Sequence, residues 1–343
     1  MTGPLRHRAT GLARLAARRL PPVRRLVEER NRLSGEVLGL RSELGEAHTH
    51  LAGARAELDR TRVRPDDPTL TLYPPGHFYS PLPDLDEVRA HDREIFDAPV
   101  TLPGIDLREQ EQLALVEKLA PYAADVPFGG DPAPGLRYHF ANDYFGWGDG
   151  LVLFCLLRQL RPQRLVEVGS GYSSALMLDT AERFLDGRPH CTFIEPYPDR
   201  LRALLRPGDA DRATVIEARV QDVDREVFAR LAPGDVLFID SSHVSKVGSD
   251  VNLLLLDVLP ALPAGVHVHV HDIVWPFEYS RAWVYEGRAW TEAYLLRALL
   301  VHNERLRITW WSSFLRARHA DAVTARLPLW RIDSGTSLWL ETA

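Results

Sequence analysis

The chain has 343 residues, 45% hydrophobic and 26% charged, with a net charge of −6; this balance fits a globular protein with a sizeable core and excludes collagen-like and disordered classes. Cys155 and Cys191 are its only cysteines, too few and too far apart for a disulfide framework or a cysteine zinc site. No secretory leader and no run of about 18 apolar residues is visible, so the expectation is a cytoplasmic protein without a membrane span.

Residues 1–66 read as a basic tail followed by a coiled-coil helix. Arg6, Arg8, Arg14, Arg18, Arg19, Arg24 and Arg25 all precede the first acidic residue, Glu28. The leader is either a surface-binding amphipathic segment or a solvated tail, and Pro21-Pro22 stops a continuous helix. The densest basic run is confined to this tail while the rest is acidic, which argues against nucleic acid as a partner. From 26 to 58 a seven-residue beat appears, with Leu26, Leu33, Leu40, Ala47 and Ala54 at one seam position and Val37, Leu44, Leu51 and Leu58 at the other. That pattern predicts a homo-oligomer through residues 26–58, or else a helix packed on the domain that follows it.

Residues 67–150 read as a proline-rich linker and a cap segment. A helix is predicted over Leu107–Leu119 with Asp106 as its N-cap. The aromatic run from Tyr138 to Asp149 follows, outside any periodic element, and suggests a lid or pocket wall.

Residues 151–343 alternate helix and strand. Helix Leu151–Leu160 leads to strand Leu165–Val168 and a further helix. Strand Cys191–Glu195 is followed by helix Asp199–Leu205 and strand Thr214–Glu217. Helix Asp224–Leu231 precedes strand Val236–Asp240, and helix Ser249–Leu259 precedes strand Val266–Val270. Two late strands lie near Ile308–Trp311 and Ser337–Leu340. The expected fold class is α/β, a doubly wound Rossmann-like sheet with its ligand at the carboxyl ends of the strands.

The first strand runs through Val166-Glu167-Val168 into Gly169-Ser170-Gly171-Tyr172-Ser173-Ser174. Glycines without Cβ let a ligand lie against the backbone, and Ser173 or Ser174 is placed to cap the next helix. A dinucleotide fingerprint needs a third glycine where Ser174 stands. The turn therefore favours S-adenosylmethionine over a pyrophosphate ligand. Glu195, 24 residues after Gly171, is positioned to accept from ribose hydroxyls. Gln221 or Asp222 is positioned for the adenine amino group, with a helix cap as the other reading.

Taken together, Val166 to Gly171, Glu195, Gln221-Asp222 and Phe238-Ile239-Asp240 resemble the class I S-adenosylmethionine-dependent methyltransferases over about residues 150–343. The resemblance implies a seven-stranded sheet with a final antiparallel strand beside the fifth. It also implies a cofactor set of Glu167, Gly169, Ser170, Gly171, Tyr172, Ser173, Glu195, Gln221, Asp222 and Asp240, with Glu167 and the glycines at the methionine end.

Asp240-Ser241-Ser242-His243 leaves the fourth strand, and His267, His269, His271 and Asp272 belong to the fifth. Side chains two apart share a strand face, so the three histidines are expected on one side. A hydroxyl must lose its proton as it takes a methyl group, and a histidine can accept it. The Asp-x-x-His pattern is similar to that of the metal-dependent sugar and macrolide O-methyltransferases. That likeness implies Asp240, His271 and Asp272 around a divalent ion, magnesium or manganese, and His243 as base. His271 stands where the pattern has a second acid, which disfavours magnesium.

Lys246, one of two lysines, either binds an anionic substrate group or caps a helix. The aromatic stretches Trp275–Tyr279 and Trp283–Trp290 form either a stacking wall or a hydrophobic plug. The expected function is methyl transfer to a hydroxyl of a sugar, glycan or glycosylated small molecule. The alternatives are a nicotinamide-dependent oxidoreductase and a non-catalytic coiled-coil scaffold with a cofactor-binding domain.

Overall fold

The computed structural model describes residues 72–97 and 100–343, together with Glu29 and Pro68. Apart from Glu29, the basic tail and the coiled coil of residues 26–58 lie outside the described residues. The chain divides into two units, Met1–Pro81 and Leu82–Ala343. Residues 72–81 of the first form turns in which Tyr73 stacks on His77 at 4.9 Å and meets Tyr79 edge-on. Residues 82–150 share a unit with the sheet.

Seven strands form one sheet: β1 Arg164–Val168, β2 His190–Ile194, β3 Ala213–Ile216, β4 Val236–Ile239, β5 His267–Val270, β6 Leu306–Trp311 and β7 Leu338–Thr342. Their order is β3-β2-β1-β4-β5-β7-β6. The first five are parallel, and β7 runs antiparallel between β5 and β6. Short apolar strands suit this centre because helices cover both faces of a parallel sheet. All four residues of β4 are fully buried, and in β5 Val268, His269 and Val270 are buried alike, so the two-faced alternation expected of β5 does not become a wet and a dry side. Each fully buried Leu, Val or Phe contributes roughly 1.5–3 kcal/mol of transfer free energy.

The register brings the site together. Val168 pairs with Ile239, and Ile239 with Val270, so the next residues, Gly169, Asp240 and His271, leave adjacent strands side by side.

Helix boundaries differ from expectation for local reasons. The first long helix is Glu109–Ala123 rather than Leu107–Leu119, because Arg108 is left-handed at φ 49° and Asp106 accepts from the Arg108 amide at 2.9 Å. The end of the aromatic run is not loop: Trp147 to Asp149 form the first turn of helix Trp147–Leu160. Helices Glu292–Leu300 and Ser312–Arg326 carried no expectation. No helix among the described residues is long and apolar enough to cross a membrane.

The cap is fixed by a buried ion network. Arg137, on the strip before the aromatic run, pairs with Asp179 and Asp209, each at 2.6 Å, and with Glu182 at 2.9 Å. Its guanidinium stays charged because these carboxylates outweigh the cost of burial, and removing one partner of such a buried set is strongly destabilising. Tyr138 then donates to the Phe145 carbonyl at 2.7 Å, closing the aromatic run over the sheet.

Candidate functional site

The turn after β1 is built from both ends of the motif. Gly169 has φ +83°, and a Cβ there would fall 1.7 Å from the Asp240 carbonyl oxygen, so only glycine lets β1 and β4 close up at this point. Gly171 is extended and needs no such freedom. Ser174 replaces the third glycine of a dinucleotide turn with a hydrogen bond, its Oγ accepting from the Gly171 amide at 3.0 Å. The hydroxyls of Ser173, at 2.6 Å, and Ser174 both donate to Glu167.

Glu167 is therefore not where the resemblance put it. It is fully buried beneath the turn, and burial pushes its carboxyl up to about 8 against the pull of the two serines. Its role is to hold the turn. Gln221 and Asp222 are likewise away from the cleft: Gln221 donates to the Gly248 carbonyl at 3.0 Å and Asp222 pairs with Arg219 at 2.9 Å.

The other expected residues converge. A cleft of about 600 Å³ is lined by Gly169 to Ser173, Glu195, Asp240, His271 and Asp272, with Asp143 to Phe145, Arg200, Trp283 and Arg288 completing its walls. That volume lies in the roughly 300–1,000 Å³ range of small-molecule sites. Glu195 stands at the lip, held by the Ser170 amide at 3.0 Å and the Tyr197 amide at 2.8 Å. Ser170 also lines the cleft. A carboxylate held by two backbone amides beside a glycine turn with no room for a Cβ fits a ribose-bearing cofactor.

His243 lies against the carboxylates of this cleft. Its Nε2 is 3.4 Å from Asp240 Oδ1 and 3.8 Å from Asp272 Oδ2, and its Nδ1 is 2.9 Å from Glu292 Oε2. Burial alone would push the ring down, but Asp240 and Glu292 outweigh it and hold His243 well above the ordinary histidine range. Asp240 is part-buried, and the charges of His271 and His243 keep it below the usual carboxylate range against the cost of desolvation. His243 and Asp272 both have left-handed backbones, φ 58° and 56°. Such strain in non-glycine residues costs on the order of 1–3 kcal/mol and concentrates at functional sites.

The three strand histidines separate. His267 is part-buried at the strand start and pushed down by burial. His269 stacks on Phe238 at 3.7 Å and bonds to Ser337 at 3.0 Å; burial holds it neutral, so it is a packing residue. Only His271 reaches the cleft, with Nε2 3.6 Å from Asp272.

The donor set at Asp240, His271 and Asp272 disfavours magnesium. Among the described residues no group of three or more His, Cys, Asp or Glu side chains converges as a ligand set. The Asp240 and Asp272 carboxylates face imidazoles instead, and two carboxylates with a histidine are a poor donor set for magnesium.

Several site residues carried no signal in the sequence. Glu292 comes from a helix 49 residues beyond His243. Arg200 lies 3.5 Å over the Tyr144 ring, and Tyr144 stacks with Tyr172. Lys246 does not line the cleft; its backbone is tied to Ser249 and Asn252. The two aromatic stretches divide the two readings offered for them. Phe277 is buried on Trp311 at 4.5 Å and acts as a plug, whereas Trp283 lines the cleft and Trp290 packs on His243 at 4.4 Å.

Residues 166–273 match the family model described as a methyltransferase domain. An uncharacterized protein of Archaeoglobus fulgidus is 37% identical over 166 residues, 47% of this chain and 74% of that protein. Among solved structures, a Podospora anserina methyltransferase bound to S-adenosylhomocysteine is 15% identical, covering 76% of this chain and 95% of that one with a TM-score of 0.38. An O-methyltransferase from Bacillus cereus in complex with S-adenosylhomocysteine is 16% identical, covering 76% and 100% with a TM-score of 0.37.

Proposed function

Because this chain belongs to the class I S-adenosylmethionine-dependent methyltransferases, we propose that it methylates a hydroxyl oxygen of a small-molecule acceptor, a sugar, glycan or glycosylated compound, with His243 as general base. The observation that carries this reading is the pairing of His243 Nδ1 with buried Glu292 at 2.9 Å while Nε2 faces the cleft carboxylates. Glu292 fixes the ring's orientation, so Nε2 is the nitrogen left for the acceptor proton.

The residues that would hold the cofactor are the Gly169–Ser173 turn and Glu195. When bound, S-adenosylmethionine supplies an electrophilic methyl group on sulfur. The rest is the work of the chain: Asp240 and Asp272 orient the acceptor hydroxyl, and its proton passes to His243 Nε2 as the oxygen takes the methyl group. Trp290 covers one side of the imidazole and keeps water from competing. A nicotinamide-dependent oxidoreductase is disfavoured by Ser174, whose side chain fills the space a third glycine would open.

The test is methyl transfer from radiolabelled S-adenosylmethionine to a panel of sugars and glycosides by the wild type and His243→Ala. The expected result is label on an acceptor oxygen, with turnover about 10²-fold lower or worse in the variant and cofactor binding intact. Label on nitrogen or carbon, or an undiminished rate in His243→Ala, removes the reading.

A further inference from the structure

We propose that the acceptor carries an anionic group, a carboxylate or a phosphate ester, and that Arg288 recognises it. This rests on the reading above, in which the acceptor enters the cleft beside His243.

Arg288 lies on the cleft wall together with Asp240, His271 and Asp272. Its guanidinium carbon sits 4.9 Å from the Trp283 ring centre and 5.0 Å from that of Trp290, and these two indoles meet edge to face at 5.3 Å. Cation–π stacking on two rings fixes the plane of the guanidinium before any ligand arrives, which lowers the ordering cost of binding. Trp290 is the link to the chemistry, because the same indole packs on the His243 ring at 4.4 Å. A group held by Arg288 is thus one aromatic side chain away from the base.

The cation is also available. Arg288 donates through Nε to Glu286 at 3.0 Å, in a pair whose side chains are 39% and 55% exposed. Such solvent-exposed pairs contribute little. With Nε taken, the two Nη nitrogens offer the paired donors that carboxylates and phosphates accept side by side. The other cleft arginine, Arg200, is stacked on Tyr144 and touches the cofactor turn, its Cδ 3.2 Å from where a Gly171 Cβ would stand. Asp240 and Asp272 each lie beside an imidazole.

The experiment is a calorimetric titration of the full chain, loaded with S-adenosylhomocysteine, with glucuronate, glucose 6-phosphate and glucose. At least one acidic sugar is expected to bind about tenfold or more tightly than glucose, and the better of the two separates a carboxylate from a phosphate ester. Arg288→Gln should abolish that preference while S-adenosylhomocysteine binds as before. Glu286→Gln, which removes the competing carboxylate, should tighten acid binding. Equal affinity for all three sugars, no binding of either acid, or a preference that survives Arg288→Gln overturns the assignment. No turnover is involved, so these outcomes are independent of whether His243 is the base or oxygen the methylated atom.

Discussion

His243 Nδ1 and Glu292 Oε2 are 2.9 Å apart, joining the loop after β4 to the first turn of a helix that follows β5. The Thr291 and Glu292 amides also donate to the His243 carbonyl, at 2.9 and 3.1 Å, so the ring and its backbone are anchored by the same helix start. Glu292 does not line the cleft and is a positioning residue. Glu292→Gln keeps the shape but removes one of the negative charges that hold His243 protonated. As a base His243 must be neutral, so the wild-type rate should rise with pH through a value above 6.5, the ordinary histidine pKa. In Glu292→Gln that limb should move to lower pH, with kcat reduced by roughly tenfold or more and the KM for the cofactor little changed. The check is kcat against pH for both proteins; superimposable profiles would show that Glu292 does not act on the base.

Glu195 carries the second prediction. Hydrogen bonds to a charged group are worth about 1.5–3 kcal/mol, so Glu195→Ala should weaken S-adenosylmethionine by roughly 10- to 100-fold. The thermal midpoint should move little, because Glu195 is only part-buried at the cleft lip. Calorimetric titration beside a melting curve separates the two effects. Equal affinity would assign the ribose to another side chain.

The third concerns the buried Glu167. Its folded pKa, about 8, lies above the ordinary carboxylate value of 4.5, so between these pH values the folded state holds a proton that the unfolded state has lost. Stability should therefore fall as pH rises from about 5 to 8, the direction given by linkage for a raised carboxyl. Glu167→Gln, which cannot ionise, should flatten that fall. Urea denaturation at the two ends of the window measures it; an identical slope in the variant would locate the pH dependence elsewhere.

A last prediction comes from the heptads alone. We propose that residues 26–58 join copies of this chain, the leucine and valine seams burying surface that a lone helix leaves wet. Deleting residues 1–66 should lower the mass measured by light scattering while the remaining chain keeps cofactor binding. An unchanged mass would defeat the oligomer.

Much of the fold is legible in the residues themselves. Short, nearly continuous apolar runs bounded by glycine and proline mark buried parallel strands, and all seven strands lie within a few residues of their expected places. Gly169 is legible too, because a strand that ends in glycine beside another strand's end leaves no room for a side chain. The boundaries that moved did so through single contacts, as where Asp106 takes the Arg108 amide.

The site divides differently. Types and spacing picked out Glu195, Asp240, His243, His271 and Asp272, since acids and imidazoles at strand ends are where an open α/β sheet exposes chemistry. Orientation decided the rest. Glu167 looks like a cofactor ligand by its position in the motif, yet a strand residue alternates faces, and here two serine hydroxyls and full burial keep it below the turn. His267, His269 and His271 are equivalent in the sequence; only the last passes the end of β5 and reaches the cleft. Glu292 and Arg200 are ordinary surface-type residues until folding brings them to His243 and Tyr144, and Arg288, which meets its two indoles within its own segment, reaches the cleft only when that segment folds against the sheet's end. The sequence by itself determined the cofactor turn and the order of layers, because those follow from local backbone freedom and hydrophobic period. Only the tertiary structure decided which acid holds the histidine and which cation faces the acceptor, because both depend on side chains from distant segments meeting across one cleft.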